Sequence, residues 1–161
     1  MLKVTELHKV FNLGQINEKY ALQGIDLKVA KKDFITIIGS NGAGKSTLLN
    51  MIAGNYFPEN GSVIIDGTDV SSWPVHKRAS MVGRVFQDPL KGTAAEMTIE
   101  ENLAMAVKRG QTRGLLPGLN RKQKSMFKDK LSLLELGLEE RLETQVKLLS
   151  GGQRQALTLL L

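Results

Sequence analysis

The sequence predicts an α/β fold, strands in its first half and helices in its second, on three observations. Short β-branched runs such as F-I-T-I-I (34–38) punctuate the first half. One of them passes through a glycine-rich turn straight into an apolar helical pattern, S-T-L-L-N-M-I-A (46–53). From Thr98 onward the character changes to helix. Together these predict an α/β core carrying a helical insertion.

Each element has its own signal. Residues 2–11 and 22–29 (L-Q-G-I-D-L-K-V) alternate partly and read as strands, joined by the polar, Gly-containing stretch 12–19. F-I-T-I-I is nearly all apolar, as expected of a strand buried on both faces. The helix at 46–53 should close at Gly54, a C′ glycine. S-V-I-I-D-G (62–67) and V-G-R-V-F-Q (82–87) read as further strands. Thr98 and Glu101 in T-I-E-E fit a capping box, with Leu103, Met105, Ala106 and Val107 following on the helix. After the loop R-G-L-L-P-G-L-N (113–120), a second helix should run from about Arg121 to Leu136, before Gly137. There is no internal repeat. The chain reads as a single domain, 1–161: a core over 1–95, a helical subdomain over 96–150, and the start of one more helix over 151–161.

Composition narrows the classes. With 161 residues, 42% of them hydrophobic, the chain can bury a real core. The absence of cysteine excludes disulfides and thiolate metal sites and suits a reducing compartment. His8 and His76 lie far apart and suggest no metal cluster. The N-terminus M-L-K-V-T-E-L-H-K has no apolar core of a secretory signal, and no apolar run approaches the roughly 18 residues that span a bilayer. The net charge of +6 is concentrated in residues 108–130, which carry eight Lys/Arg and one acid. A general polyanion-binding surface is therefore not indicated. That segment suits a solvated helix and loop, with phospholipid headgroups or a protein partner as the other reading.

The stretch G-S-N-G-A-G-K-S-T (39–47) satisfies G-x-x-x-x-G-K-[ST] at every required position. Gly39, Gly42 and Gly44 allow a tight fold in which the amides of Ser40, Asn41, Ala43 and their neighbours can turn inward toward phosphate oxygens. The following helix adds its positive end, through Ser46 and Thr47. Lys45 is placed to reach the β- and γ-phosphates, and the Ser46 hydroxyl to bind Mg²⁺. A buried strand before and an amphipathic helix after are the context this motif requires. The stretch reads as a nucleoside-triphosphate site.

A second glycine turn, Leu149-Ser150-Gly151-Gly152-Gln153, has a modest reading of its own: Ser150 and Gln153 fit a capping box at a helix start. Its exposed amides, the Ser150 hydroxyl and the helix N-terminus also make an anion site. One domain does not need two such sites for one nucleotide. With Gln87 in V-F-Q-D-P, with I-I-D-G before it and M-T-I-E-E-N-L after it, the order of motifs resembles an ATP-binding cassette (ABC) ATPase along essentially the whole chain.

The resemblance implies a P-loop NTPase core with an antiparallel β N-terminal part and a helical signature subdomain. It implies ATP and Mg²⁺ as ligands. Phe11 would stack on adenine, with Tyr20 a weaker candidate; packing within a core or edge strand is the alternative for Phe11. Gln87 would contact Mg²⁺ or the attacking water and couple the site to a membrane partner, or else be a polar residue at a strand end. Leu149–Gln153 would act in trans, closing over the γ-phosphate held by a second cassette. Asp66 matches a turn aspartate and not a metal ligand. In the family the signature helix leads to a strand ending in Asp, then a catalytic Glu, a dimer-loop aspartate and a switch histidine. None lies within these residues, so the chain reads as truncated, with the C-terminal part of the core missing and no general base present. It is expected to bind nucleotide weakly and hydrolyse it negligibly, and to leave an apolar sheet edge or gap exposed.

Ala156 and Leu161 replace arginines usual after the signature, a variant resembling importers of tryptophan or tyrosine. The function implied for the complete form is the ATP-hydrolysing subunit of an ABC importer, with ATP binding closing the dimer and hydrolysis reopening it. Its partners would be a transmembrane permease, a second ATPase subunit (identical or not) and a solute-binding protein, without nucleic acid. It would be cytoplasmic, peripheral on the inner face of the plasma membrane. The alternatives are a soluble ABC ATPase acting on ribosomes or DNA, against which the absence of a heptad run speaks, or a non-hydrolysing nucleotide-binding fragment.

Overall fold

Alternation and β-branched residues place Leu2–Phe11 (β1) and Lys19–Val29 (β2) side by side as an antiparallel pair. The computed structural model of the chain describes residues 1–86, 88–109 and 119–161. Asn60–Ile65 (β3) pairs with the other edge of β1, and the short Thr68–Asp69 (β4) pairs with β3, giving a sheet in the order β2-β1-β3-β4. Between β2 and β3 runs the helix Lys45–Ala53 (α1), which stops at Gly54 in the left-handed conformation expected of a C-terminal glycine (φ 87°). Val4, Leu7, Leu22, Leu48, Met51 and Val63 form the core between sheet and helix. Each such fully buried aliphatic side chain contributes about 1.5–3 kcal/mol.

A four-residue helix, Val75–Arg78 (α2), ends on a fully buried arginine. The Arg78 guanidinium donates to the carbonyls of Met51, Ile52, Ser71 and Trp73 at 2.5–3.0 Å. It thereby satisfies the carbonyls left open at the end of α1. Burial pushes its pKa down, and the Asp69 carboxylate opposes that. Asp66 is indeed a turn residue (φ 46°), and its carboxylate pairs with the N-terminal ammonium.

The backbone divides into two compact units, Met1–Val82 and Gly83–Leu161. In the second, Ile99–Val107 (α3) starts at the Thr98/Glu101 capping box. Arg121–Ser132 (α4) starts at another, formed by Asn120 and Gln123. Single turns at Leu138–Glu140 and Val146–Leu148 lead to Gly151–Leu160 (α5). Ile99, Leu103, Phe127, Leu131, Val146 and Leu157 make the core of this unit. Asn102 is buried and ties α3 to the preceding loop, accepting from the Ala94 amide and donating to the carbonyls of Ala94 and Thr98.

Three expectations differ from what the chain adopts. The run 34–38 is not paired as a strand, and Phe34 and Ile38 are 94% and 89% exposed. V-G-R-V-F, 82–86, is likewise not part of a described strand, and Gln87 lies outside the described residues. A strand exists only through a neighbour's ladder of hydrogen bonds, and none of the four described strands lies beside either run. The run 34–38 is therefore exposed apolar chain outside the described sheet, not an edge of it. Finally, α4 ends at Ser132 rather than near Leu136. Glu135 takes a left-handed backbone (φ 54°), which stops the helical ladder before Leu136, and Leu133 faces solvent.

Candidate nucleotide-binding site

The glycine-rich turn folds around the side chain of its own lysine. The Lys45 ammonium donates to the carbonyls of Gly39 and Ser40, both at 2.7 Å. The Ala43 amide bonds the Ser40 carbonyl at 3.2 Å, so the loop closes on itself. Gly44 stands at the N-cap of α1 with φ 87° and no side chain to cap the first amides. No acidic residue occupies the first turn. The helix therefore presents its unsatisfied N–H groups and positive end to an outside anion. Glycine at this position is obligatory: an added Cβ would sit 2.5 Å from the Ala21 carbonyl oxygen, and the positive φ is itself unfavourable for any other residue.

A cleft of about 250 Å³ opens above this turn. Asn41, Gly42, Ala43, Gly44, Lys45, Ser46 and Thr47 line it. Gly39 and Ser40 act from behind, through Lys45. The opposite wall comes from the β1–β2 hairpin: Phe11, Lys19 and Ala21. The structure therefore brings Phe11 to the same cleft as the phosphate loop. Its ring meets Tyr56 edge-on (5.2 Å between centroids, 79°). The Lys9 ammonium lies 5.5 Å from the centroid, an approach within cation–π range. Lys9 is anchored by the Phe57 carbonyl at 3.1 Å and the Glu59 carboxylate at 2.5 Å. Burial raises the Glu59 pKa, but the bonds from Lys9 and the Val10 amide outweigh it and leave the carboxyl below its ordinary value.

Tyr20 does not line the cleft; it is exposed, and its hydroxyl is held by Glu18, which raises the phenol's pKa. Glu18 is in turn held below its ordinary value by the Gly14 amide first and Tyr20 second. Two contributors were missed from sequence, Lys19 and Ala21. The sequence puts Lys19 at the end of a polar connection, whereas β2 begins there. Only a longer strand, continued back across the break in alternation, would have revealed it.

The second turn lies in the other unit. Leu149 is buried, and Ser150 caps α5 with a reciprocal pair of bonds: its hydroxyl accepts from the Gln153 amide at 3.2 Å, and Gln153 Oε1 accepts from the Ser150 amide at 3.1 Å. Arg154 anchors the same helix by donating to the Val146 carbonyl at 3.0 Å. A Cβ added to Gly151 or Gly152 would meet nothing within 4 Å, and neither has positive φ. Packing among the described residues thus gives no reason for glycine at either place.

For a divalent cation, the fit rests on Ser46, a hydroxyl residue in the lining of the cleft. Among the described residues no group of three His, Cys, Asp or Glu could hold a metal ion by itself. The residues present therefore suit a hard cation carried mainly by phosphate oxygens, with one protein hydroxyl. Gln87, the other candidate ligand, lies outside the described residues. No helix among the described residues is long and apolar enough to cross a membrane.

Residues 22–161 match the sequence model of the family described as ABC transporter. The chain is 37% identical over its full length to a tyrosine transport ATP-binding protein of Clostridioides difficile, of which it covers 64%. It is 33% identical over 160 residues to a glycine betaine/carnitine/choline transport ATP-binding protein of Bacillus subtilis, covering 39% of that protein. Among solved structures it superposes with a TM-score of 0.80 and 28% identity on a dimeric ATP-binding cassette in a post-hydrolysis state with ADP and Pi, covering 99% of this chain and 68% of that one. The chain spans less than two thirds of the length of these two curated relatives. With the motif order, the cleft and these similarities in agreement, the chain belongs to the ABC transporter family.

Proposed function

We propose that the cleft above Gly39–Thr47 binds ATP, and that the whole protein hydrolyses it to drive solute import as the cassette subunit of an ABC transporter. The observation that carries this is the lysine-centred phosphate loop at the uncapped start of α1, facing Phe11 across one cleft. The triphosphate would draw Lys45 from its two carbonyls, lie against the loop amides and place its base on Phe11. A bound Mg²⁺, held by Ser46 and, in the complete site, Gln87, would neutralise phosphate charge.

The second turn belongs to the same reading. Each glycine costs helix propensity relative to alanine, up to about 1 kcal/mol in a helix interior. Gly151 and Gly152 recover nothing from packing among the described residues. Such a cost is justified if something approaches the backbone from outside. Leu149–Gln153 would then cover the nucleotide of a second cassette, in a homo- or heterodimer. A permease, a solute-binding protein and a place on the inner face of the plasma membrane follow from the importer reading. The tyrosine-transport relative makes an aromatic amino acid the substrate class to try first.

The direct test is equilibrium binding of a fluorescent ATP analogue to the chain, with and without Mg²⁺. Binding should be displaced by ATP and lost in Lys45→Ala. Equal binding by Lys45→Ala would sink the assignment of the cleft.

A further inference from the structure

We propose that Lys19 is a second phosphate-gripping cation of this cleft, supplied by the sheet rather than by the phosphate loop. The inference rests on the nucleotide reading above and adds to it a residue outside the motif. In the antiparallel pairing of β1 and β2, Lys19 stands directly opposite Phe11. Directly opposed residues project from the same face of a sheet, so the candidate base-stacking ring and the ammonium emerge side by side. Both line the cleft with Asn41–Thr47.

The local backbone explains why Lys19 points there. The pairing runs Lys9 with Leu22, then Val10 with Tyr20, leaving Ala21 as the extra residue of a bulge. Bulges bend a strand and re-aim its side chains. Here the bulged Ala21 presses its carbonyl toward Gly44, and Tyr20 is left outside the cleft. The Lys19 ammonium comes to 3.7 Å from the point a Cβ on Gly42 would occupy, at the middle of the phosphate loop.

Charge completes the case. Lys45 is already satisfied by two carbonyls, whereas Lys19 has no hydrogen-bond or ion-pair partner among the described residues. An unpaired cation beside the glycine-rich loop, lining the same cleft of about 250 Å³ as an uncapped helix N-terminus, fits one ligand chemistry: the polyphosphate of a nucleotide. Lys19 adds affinity through phosphate charge and is indifferent to the base.

The test compares the chain with Lys19→Gln, Lys19→Arg and Lys45→Ala, using ATP and GTP at several salt concentrations. Lys19 is exposed at the start of an edge strand, so its variants should fold, which circular dichroism verifies. Lys19→Gln is expected to weaken both nucleotides by the same factor, about tenfold at low salt, as for a charge-assisted hydrogen bond. That factor should shrink as salt rises, and Lys19→Arg should restore most of it. Unchanged affinity in Lys19→Gln, while Lys45→Ala abolishes binding, overturns this inference and leaves the nucleotide site standing. A loss confined to one base, or insensitive to salt, overturns it too. No binding by the unaltered chain removes both.

Discussion

At Gly44 a single methyl group separates the closed glycine-rich turn from a clash. Its φ of 87° and the Ala21 carbonyl, 2.5 Å from a built Cβ, both exclude alanine. The left-handed conformation alone costs a non-glycine residue about 1–2 kcal/mol, and the backbone contact adds to it. Gly44→Ala should therefore lose at least about 2 kcal/mol in urea unfolding, together with ATP binding; an unchanged midpoint would mean the loop stands elsewhere. This part of the site was legible because the motif's spacing encodes its backbone. Arg78 was not legible at all. In the run H-K-R-A it looks like one more solvated cation, yet it is fully buried on four carbonyls. Those acceptors come from two separate stretches of chain, 51–52 and 71–73, and no local pattern announces them. Lys19 was hidden for a related reason, since the bulge at Ala21 breaks the alternation that would have marked it as strand.

At the scale of elements, helix starts were readable and strand partners were not. The boxes at Thr98 and Ser150 depend on residues three apart, and both close as their sequences specify. Ser150→Ala should cost about 1 kcal/mol in thermal or urea unfolding, the ordinary value of a lost N-cap. Gly151→Ala on the same helix should do the reverse. Its backbone is free of positive φ and its surroundings are open, so alanine should stabilise α5 by about 0.5 kcal/mol. A Gly151→Ala chain that unfolds at lower urea would show that the glycine has an internal role, and would weaken the argument for an outside partner at this turn. The runs at 34–38 and 82–86 have the composition of strands, but composition supplies only one side of a ladder. Their pairing depends on other segments, a property no single run contains.

Taken whole, the molecule keeps two buried cores and leaves one apolar run uncovered. Phe34, Ile35, Ile37 and Ile38 are all exposed, and their backbone is outside the sheet, so both apolar surface and unpaired amides face water together. That combination is the template on which strands add to one another. Singly exposed residues such as Leu133 and Leu159 lack the second half of it, because one ends a helix and the other lies within one. The chain should accordingly self-associate with rising concentration, visible as growing mass in light scattering. Replacing Phe34 by Glu and Ile38 by Lys together should suppress that growth while leaving the helical signal intact. The same substitutions made at Leu133 and Leu159 should have little effect. If the second pair, and not the first, restored a constant mass, association would run through the helical unit and the 34–38 run would be passive. The distinction matters for any nucleotide measurement, because residues 34–38 lead directly into Gly39. Association through them would burden the phosphate loop at its root, and ATP affinity would then fall as protein concentration rises.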